Sequence, residues 1–209
     1  MSPELTPHFL LSAYACGLFP MGDEDGQVHW FSPDPRAIIE FDAVRTPRTL
    51  RSTIRKGTFE IKVNRAYAEV MAACADRAEG TWISPAIMTA YRALHALGFA
   101  HSVEAWQGER LVGGLYGVAL GGAFFGESMF HRVPDASKVA LLALVQRLRE
   151  RGFVLLDVQF VTEHLARFGA REIPRRDYLR RLRHAVRLER SFTDEAGPTQ
   201  VVETKPESA

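Results

Sequence analysis

Residues 111–130 read Leu111-Val112-Gly113-Gly114-Leu115-Tyr116-Gly117-Val118-Ala119-Leu120-Gly121-Gly122-Ala123-Phe124-Phe125-Gly126-Glu127-Ser128-Met129-Phe130. Two strand-like runs flank Gly121-Gly122, a dipeptide suited to a primed two-residue hairpin turn. Residues 101–106 also alternate with period two, and Gln107-Gly108-Glu109-Arg110 makes the intervening turn, so 101–130 predicts a three-stranded antiparallel meander. An amphipathic helix follows over 136–150, with Val139, Leu142, Val145 and Leu148 (or Leu141 and Leu144) inward and Gly152 as its stop. Glu127, Ser128 and Met129 therefore stand where sheet gives way to helix, a kind of junction that often hosts a binding site. That placement points to an enzyme rather than a scaffold.

Working outward, residues 153–161 predict a buried strand, 162–168 a short helix closed by Gly169, and a final helix follows Pro174. Upstream, Thr6-Pro7 opens a helix that stops at Gly17. Asp23-Glu24-Asp25-Gly26 is a turn, and short strands are expected over 27–31 and 36–41. Thr46-Pro47 starts a basic helix, and 58–63 alternates as a strand. Asn64 reads as the N-cap of a helix burying Tyr67, Val70, Met71 and Cys74; Ser84-Pro85 caps another, with Ile87, Met88, Tyr91 and Leu94 inward. The predicted class is α+β, a mixed and largely antiparallel sheet flanked by helices. A small N-terminal lobe (1–36) precedes the main domain (37–190), and residues 191–209, polar and without apolar periodicity, read as a disordered tail.

The 209 residues, 46% hydrophobic and 24% charged, suffice for a sizeable core, while a net charge of +1 leaves any nucleic-acid affinity to a local basic patch. Cys16 and Cys74 lack metal-ligand spacing and read as buried thiols in a reducing compartment. Neither a secretory leader nor an apolar run near the ~18 residues of a membrane span is visible, so a cytoplasmic protein is expected. His29, His101, His131 and His164 show no metal spacing either.

Several side chains carry candidate chemistry. Asp157 and Gln159, two apart in a strand, should leave one face together; Asp157 is the more credible proton or charge partner, since an amide can position but is barely basic. Glu127 suits a cationic substrate, or else complements a helix dipole. Trp82, in the loop after Gly80-Thr81, is a core plug or a platform for a base. Residues 171–190 hold eight arginines against Glu172, Asp177 and Glu189. Arg176, Arg180, Arg183 and Arg187 fall on one stripe opposite Leu179, Leu182 and Val186, a pattern suited to a phosphate backbone or to a plain solvated face.

Ordered strings along residues 13–180 resemble one family. They are Ala13-Tyr14 with Gly17-Leu18-Phe19-Pro20, Trp30-Phe31-Ser32-Pro33-Asp34-Pro35-Arg36, Glu79-Gly80-Thr81-Trp82-Ile83, and Leu111-Val112-Gly113-Gly114-Leu115-Tyr116-Gly117-Val118. Gly126-Glu127-Ser128-Met129-Phe130, Ala136-Ser137-Lys138, Asp157-Val158-Gln159 and Glu172-Ile173-Pro174-Arg175-Arg176-Asp177-Tyr178 complete the set. Each is weak alone; eight in order are similar to leucyl/phenylalanyl-tRNA–protein transferases. The resemblance implies a GNAT-like acyltransferase domain with a small N-terminal lobe, and no metal or organic cofactor. It implies transfer of Leu or Phe, possibly Met, from aminoacyl-tRNA to proteins beginning with Arg or Lys, marking them for N-degron degradation. By that resemblance Asp157 and Gln159 match the proposed catalytic pair and Glu127 the acidic site residue. Leu115, Met129, Leu141, Leu144 and Leu156 match the side-chain pocket, and Trp82 an aromatic near the terminal adenosine. The arginine stripe would hold acceptor-stem phosphates, and the protein would act as a monomer.

Two departures stand out: Met21-Gly22 replaces an aromatic pair seen in many relatives, and Leu115 is Met in some. The nearest rival, an acetyl-CoA-dependent N-acetyltransferase, wants a helix-opening pyrophosphate loop. The best candidate, residues 110–115, fails that pattern at its last position and falls in a strand. A non-catalytic tRNA-binding module is the other alternative.

Overall fold

The computed structural model describes residues 5–194. Its centre is a seven-stranded sheet in the order β4-β5-β6-β7-β8-β3-β9. The meander is β5 (Ala100–Gln107), β6 (Arg110–Leu120) and β7 (Ala123–His131), antiparallel throughout. β4 (Glu60–Val63) adds to one side of it. β8 (Leu155–Gln159) runs parallel to β7 after the crossover helix α5 (Ala136–Glu150). β3 (Arg36–Ile39) pairs antiparallel with both β8 and the edge strand β9 (Ala170–Ile173).

Helices cover both faces. α1 (Pro7–Ala15), α3 (Tyr67–Ala75), α4 (Pro85–Ala96) and α7 (Arg175–Ala185) bury Leu10, Val70, Ile87 and Leu182 in one core. On the other face α5 presents Val139, Leu141, Leu144, Val145 and Leu148, joined by Leu50 of α2 (Arg48–Arg55). α6 (Glu163–Ala166) is a single turn capped by Thr162. Near the N-terminus, β1 (Phe19–Gly22) and β2 (Val28–Phe31) form a separate two-stranded hairpin around the acidic turn.

Several expectations change. Asn64 does not cap α3: it takes a left-handed φ of 57° and its side chain pairs with Ser102 N–H and His101. The buried Glu104 carboxylate does that work instead, accepting from Ala66 N–H at 2.8 Å. β9, for which the sequence predicts no element, is a strand because β3 offers it an edge. Cys16 is exposed at the end of α1, whereas Cys74 is buried and its thiol is pushed up to about 12 by desolvation. Of the tail, Phe192 is buried against His101, Phe124 and Phe153, with Arg147 over its ring; residues 195–209 lie outside the described residues. Among the described residues no helix is long and apolar enough to cross a membrane.

Candidate active site

Parallel pairing between β7 and β8 ends at Phe125 opposite Asp157, although β7 continues to His131 and β8 to Gln159. A cleft of about 820 Å³ is lined by both strands past that point. Two irregularities aim side chains into it, as bulges commonly do beside active sites. Across β6 and β7, Tyr116 faces Ser128 while Gly117 faces Gly126, so Glu127 is the unmatched residue of a bulge. Gly126, Glu127, Ser128 and Met129 consequently line the cleft in succession. Across β3 and β8, Ala37 faces Gln159 and Ile38 faces Asp157, skipping Val158.

Gln159 itself has φ 58°, and Phe160 N–H donates back to Val158 O at 2.6 Å. A non-glycine residue held in that region is strained, a state tolerated mainly where function requires it. The turn puts Val158, Gln159 and Phe160 all on the cleft wall. A regular strand would have paired Gln159 with Asp157 on one face; the turn separates them.

Asp157 stands behind the wall, fully buried and opposite the equally buried Arg36. Arg36 Nε and Nη2 donate to its two oxygens at 2.9 and 2.6 Å, Tyr178 OH donates at 2.7 Å, and Gln159 N–H at 3.0 Å. Arg36 Nη1 also reaches Gly17 O at 3.1 Å, and its guanidinium lies between the Phe19 and Tyr178 rings. One ion pair thus ties the end of α1 and the start of β1, the strained turn and α7 together. Gly17 must be glycine: φ is 81°, and a Cβ would meet Leu179 Cδ2 at 2.7 Å. With every Asp157 oxygen occupied from within, the carboxylate positions its neighbours and does not touch the cleft.

Glu127, unlike Asp157, lines the cleft directly. Tyr14 OH donates to Oε1 at 2.6 Å and Tyr91 OH to Oε2 at 3.4 Å, while the two hydroxyls also touch. Burial pushes the Glu127 carboxyl up to about 8, with the Asp157 charge adding to it and the Tyr14 hydrogen bond opposing. Burial and the Glu127 charge raise Tyr14 and Tyr91 well above ordinary phenols, so both remain donors. Gln159 is 7% exposed, and its buried Nε2 has no partner among the described residues.

The apolar end is built by Leu115 and Met129, paired across β6 and β7, with Leu141 and Leu144 from α5 and Leu156 from β8. Trp82 lines the opposite loop, and its carbonyl accepts from Gly22 N–H at 2.9 Å. A Cβ on residue 22 would approach that carbonyl to 2.8 Å, which gives Gly22 a packing reason. Arg77, His131, Lys138 and His164 also line the cleft. Arg77 is held by Ser128 Oγ and Met129 O, Lys138 by Asp135. Among the described residues no group of His, Cys, Asp and Glu is gathered to hold a metal.

The leucyl/phenylalanyl-tRNA protein transferase family model matches residues 38–183, and its N-terminal domain model matches residues 3–34. The chain belongs to this family. Leucyl/phenylalanyl-tRNA–protein transferase of Rubrobacter xylanophilus is 56% identical over 90% of this chain and 99% of its own length. That of Phenylobacterium zucineum is 57% identical over 90% of this chain and 88% of its own. Among solved structures, L-PGS from Bacillus licheniformis aligns with a TM-score of 0.43 at 14% identity, over 61% of this chain and 46% of that one; a GNAT-type assignment finds no confirmation there. Membership in a leucyl/phenylalanyl-tRNA–protein transferase family makes the chain an aminoacyltransferase rather than a binding module. The acetyltransferase rival also loses its pyrophosphate loop, since Arg110 to Leu115 lies inside β6.

Glu127, Gln159, Trp82 and all five apolar residues expected from the sequence line one cleft; Asp157 does not. Arg176, Arg180, Arg183 and Arg187 are exposed, but only the first three lie within α7, and Asp177 pairs with Arg176 and Arg180. Arg36, Tyr14, Tyr91 and Tyr178 were missed as site residues. Three sat inside quoted motifs, so motif membership was their available signal. α2 and its flanks expose Arg45, Arg48, Arg51, Arg55 and Lys56 with no acid between them, a second basic face.

Proposed function

We propose that this cleft transfers Leu or Phe, and admits Met as well, from aminoacyl-tRNA to the α-amine of proteins beginning with Arg or Lys, marking them for N-degron degradation. Support comes from family membership joined to one observation: the apolar end, the Glu127 carboxyl and the unpartnered Gln159 amide share a single cleft. The aminoacyl side chain enters among Leu115, Met129, Leu141, Leu144 and Leu156; a pocket of this kind separates Leu from Met only weakly. The acceptor's cationic N-terminus is brought beside Glu127, and a neighbouring cation favours the ionised form of its carboxyl.

An aminoacyl ester is already activated, so positioning supplies most of the acceleration. The incoming α-ammonium loses a proton, and its nitrogen then bonds to the ester carbon. The C–O bond to the terminal ribose breaks, and that oxygen takes up a proton. An α-amine titrates at about 7.7–8.0, matched to the Glu127 carboxyl at about 8, so Glu127 can accept that proton without a large uphill step. Gln159 Nε2, which has no partner of its own, would donate to the oxygen that gains charge. Asp157 and Arg36 hold the Gln159 turn.

The splayed β7–β8 pair suits a GNAT-like reading of the fold. The arginines of α7, and the second basic face on α2, fit tRNA phosphates, which fix position without reading sequence. We take the protein to be a cytoplasmic monomer. Labelled Leu presented as leucyl-tRNA should appear on a peptide beginning with Arg and not on the same peptide beginning with Ala. Label on neither, with tRNA still bound, would leave only a tRNA-binding module; label on both would remove the role given to Glu127.

A further inference from the structure

We propose that Phe160 is the stacking platform for the terminal nucleobase of the acceptor end, an inference that rests on the proposed function. Among the described residues the cleft is lined by the carbocyclic rings of Phe19, Trp82, Tyr116 and Phe160, beside the smaller imidazoles of His131 and His164. Phe19 is 3% exposed and Tyr116 is fully buried, so neither has a face to offer. Phe160, by contrast, is 47% exposed. A large apolar ring left half in water beside an active site is a candidate contact rather than core.

The ring is also held ready. Phe19 meets Phe160 edge-on, with centroids 5.8 Å apart and planes at 80°. Phe19 is in turn fixed by Phe31, stacked at 6.0 Å, and by the Arg36 guanidinium 4.6 Å from its centroid. The backbone gives the second support. The hydrogen bond from Phe160 N–H to Val158 O, with Gln159 at φ 58°, sets Gln159 and Phe160 side by side on the cleft wall. The strained turn therefore delivers two functional side chains, an amide for the reacting ester and a ring next to it.

The occupant follows from what is already provided for. The aminoacyl side chain has its own buried aliphatic end, so Phe160 is not needed there. A nucleobase attached to the same ester-bearing ribose is flat and must lie within a few ångströms of the reacting atoms. Any base stacks on an aromatic ring. Arg77 and Lys138 line the same cleft and offer charge to the strand's phosphates. Met21, on the lobe side, contributes only a thioether, which leaves Phe160 and the half-buried Trp82 as the available platforms.

The test measures affinity, independent of turnover. Two probes are needed: the trinucleotide CCA carrying leucine through a stable 3′-amide, and the same compound with its last base removed. Both are titrated against the intact chain and against Phe160→Ala and Phe160→Leu, with Tm as the control for folding. Removing the base should weaken wild-type binding roughly 10-fold or more, and should weaken Phe160→Ala binding less than about threefold. Phe160→Leu, which keeps apolar area without a flat face, should behave like Phe160→Ala. The inference is overturned if base removal weakens all three proteins equally. It is equally overturned if Phe160→Leu matches the wild type, or if Phe160→Ala binds the base-less probe as poorly as it binds the full one relative to wild type, because the ring would then serve the amino acid or the sugar. Failure of the wild type to bind the full probe at all would instead bring down the proposed function, and this inference with it.

Discussion

Asp157→Ala should lose activity chiefly because it loosens the structure. The substitution leaves the Arg36 guanidinium charged and unpaired where both partners are fully buried. Removing one partner of a buried ion pair costs about 3–5 kcal/mol. The Tyr178 hydroxyl and Gln159 N–H lose their acceptor as well, each a loss of about 1–3 kcal/mol if no water replaces it. These losses overlap, so about 4–6 kcal/mol is expected against a total stability of about 5–15 kcal/mol. Urea unfolding at neutral pH measures the loss, and limited proteolysis near residues 31–36 reports the loosened chain before β3. The pair Arg36→Met with Asp157→Leu should regain much of the stability, since similar-sized apolar residues often replace a buried pair without loss. Asp157→Ala within about 1 kcal/mol of wild type would refute the reasoning and return Asp157 to a chemical role.

Glu127→Gln should alter how stability depends on pH. Burial holds the Glu127 carboxyl up to about 8 when folded, against about 4.3 in an unfolded chain. Between those values the folded state binds a proton that the unfolded state lacks, so this contribution is full below about 4.3 and is lost as pH rises through about 8. Wild type should therefore lose about 2–3 kcal/mol across that window relative to Glu127→Gln, after discounting for solvent access; parallel stability curves from denaturation at several pH values would count against it. Arg183→Ala with Arg187→Ala should weaken tRNA binding and reduce the slope of log affinity against log salt by about 2, leaving peptide KM at saturating tRNA unchanged; an unaltered slope would mean that α7 does not touch phosphate.

The meander, α5 and the faces of α3 and α4 were legible because each rests on local periodicity and local turn chemistry. Glu127, Trp82, Leu115 and Met129 were legible as candidates within recognisable strings, although Glu127 falls at a mid-strand bulge and not at a strand end; Leu141, Leu144 and Leu156 came only from the resemblance, since their spacing alone reads as core. What stayed hidden is non-local. Asp157 looked like a free acid because its partner Arg36 lies 121 residues away in sequence. Periodicity predicted Asp157 and Gln159 on one face, and a bulge with a left-handed turn overrode it. β9 carries exposed Arg171 and Glu172 and has no alternation to detect, because its strand character comes from the free edge of β3. Glu104, which serves the N-terminus of α3, reaches it across the sheet, so Asn64 was the local but wrong choice.

Direct transfer is best examined by the bond it makes. A peptide beginning with Arg and holding an internal Lys is mixed with leucyl-tRNA and the protein for a single turnover, quenched, and sequenced by tandem mass spectrometry. Leu on the α-amine alone, with no leucyl group on the protein at any time, is the predicted result. Leu on the Lys side chain, Leu carried on the protein, or an unmodified peptide would contradict it.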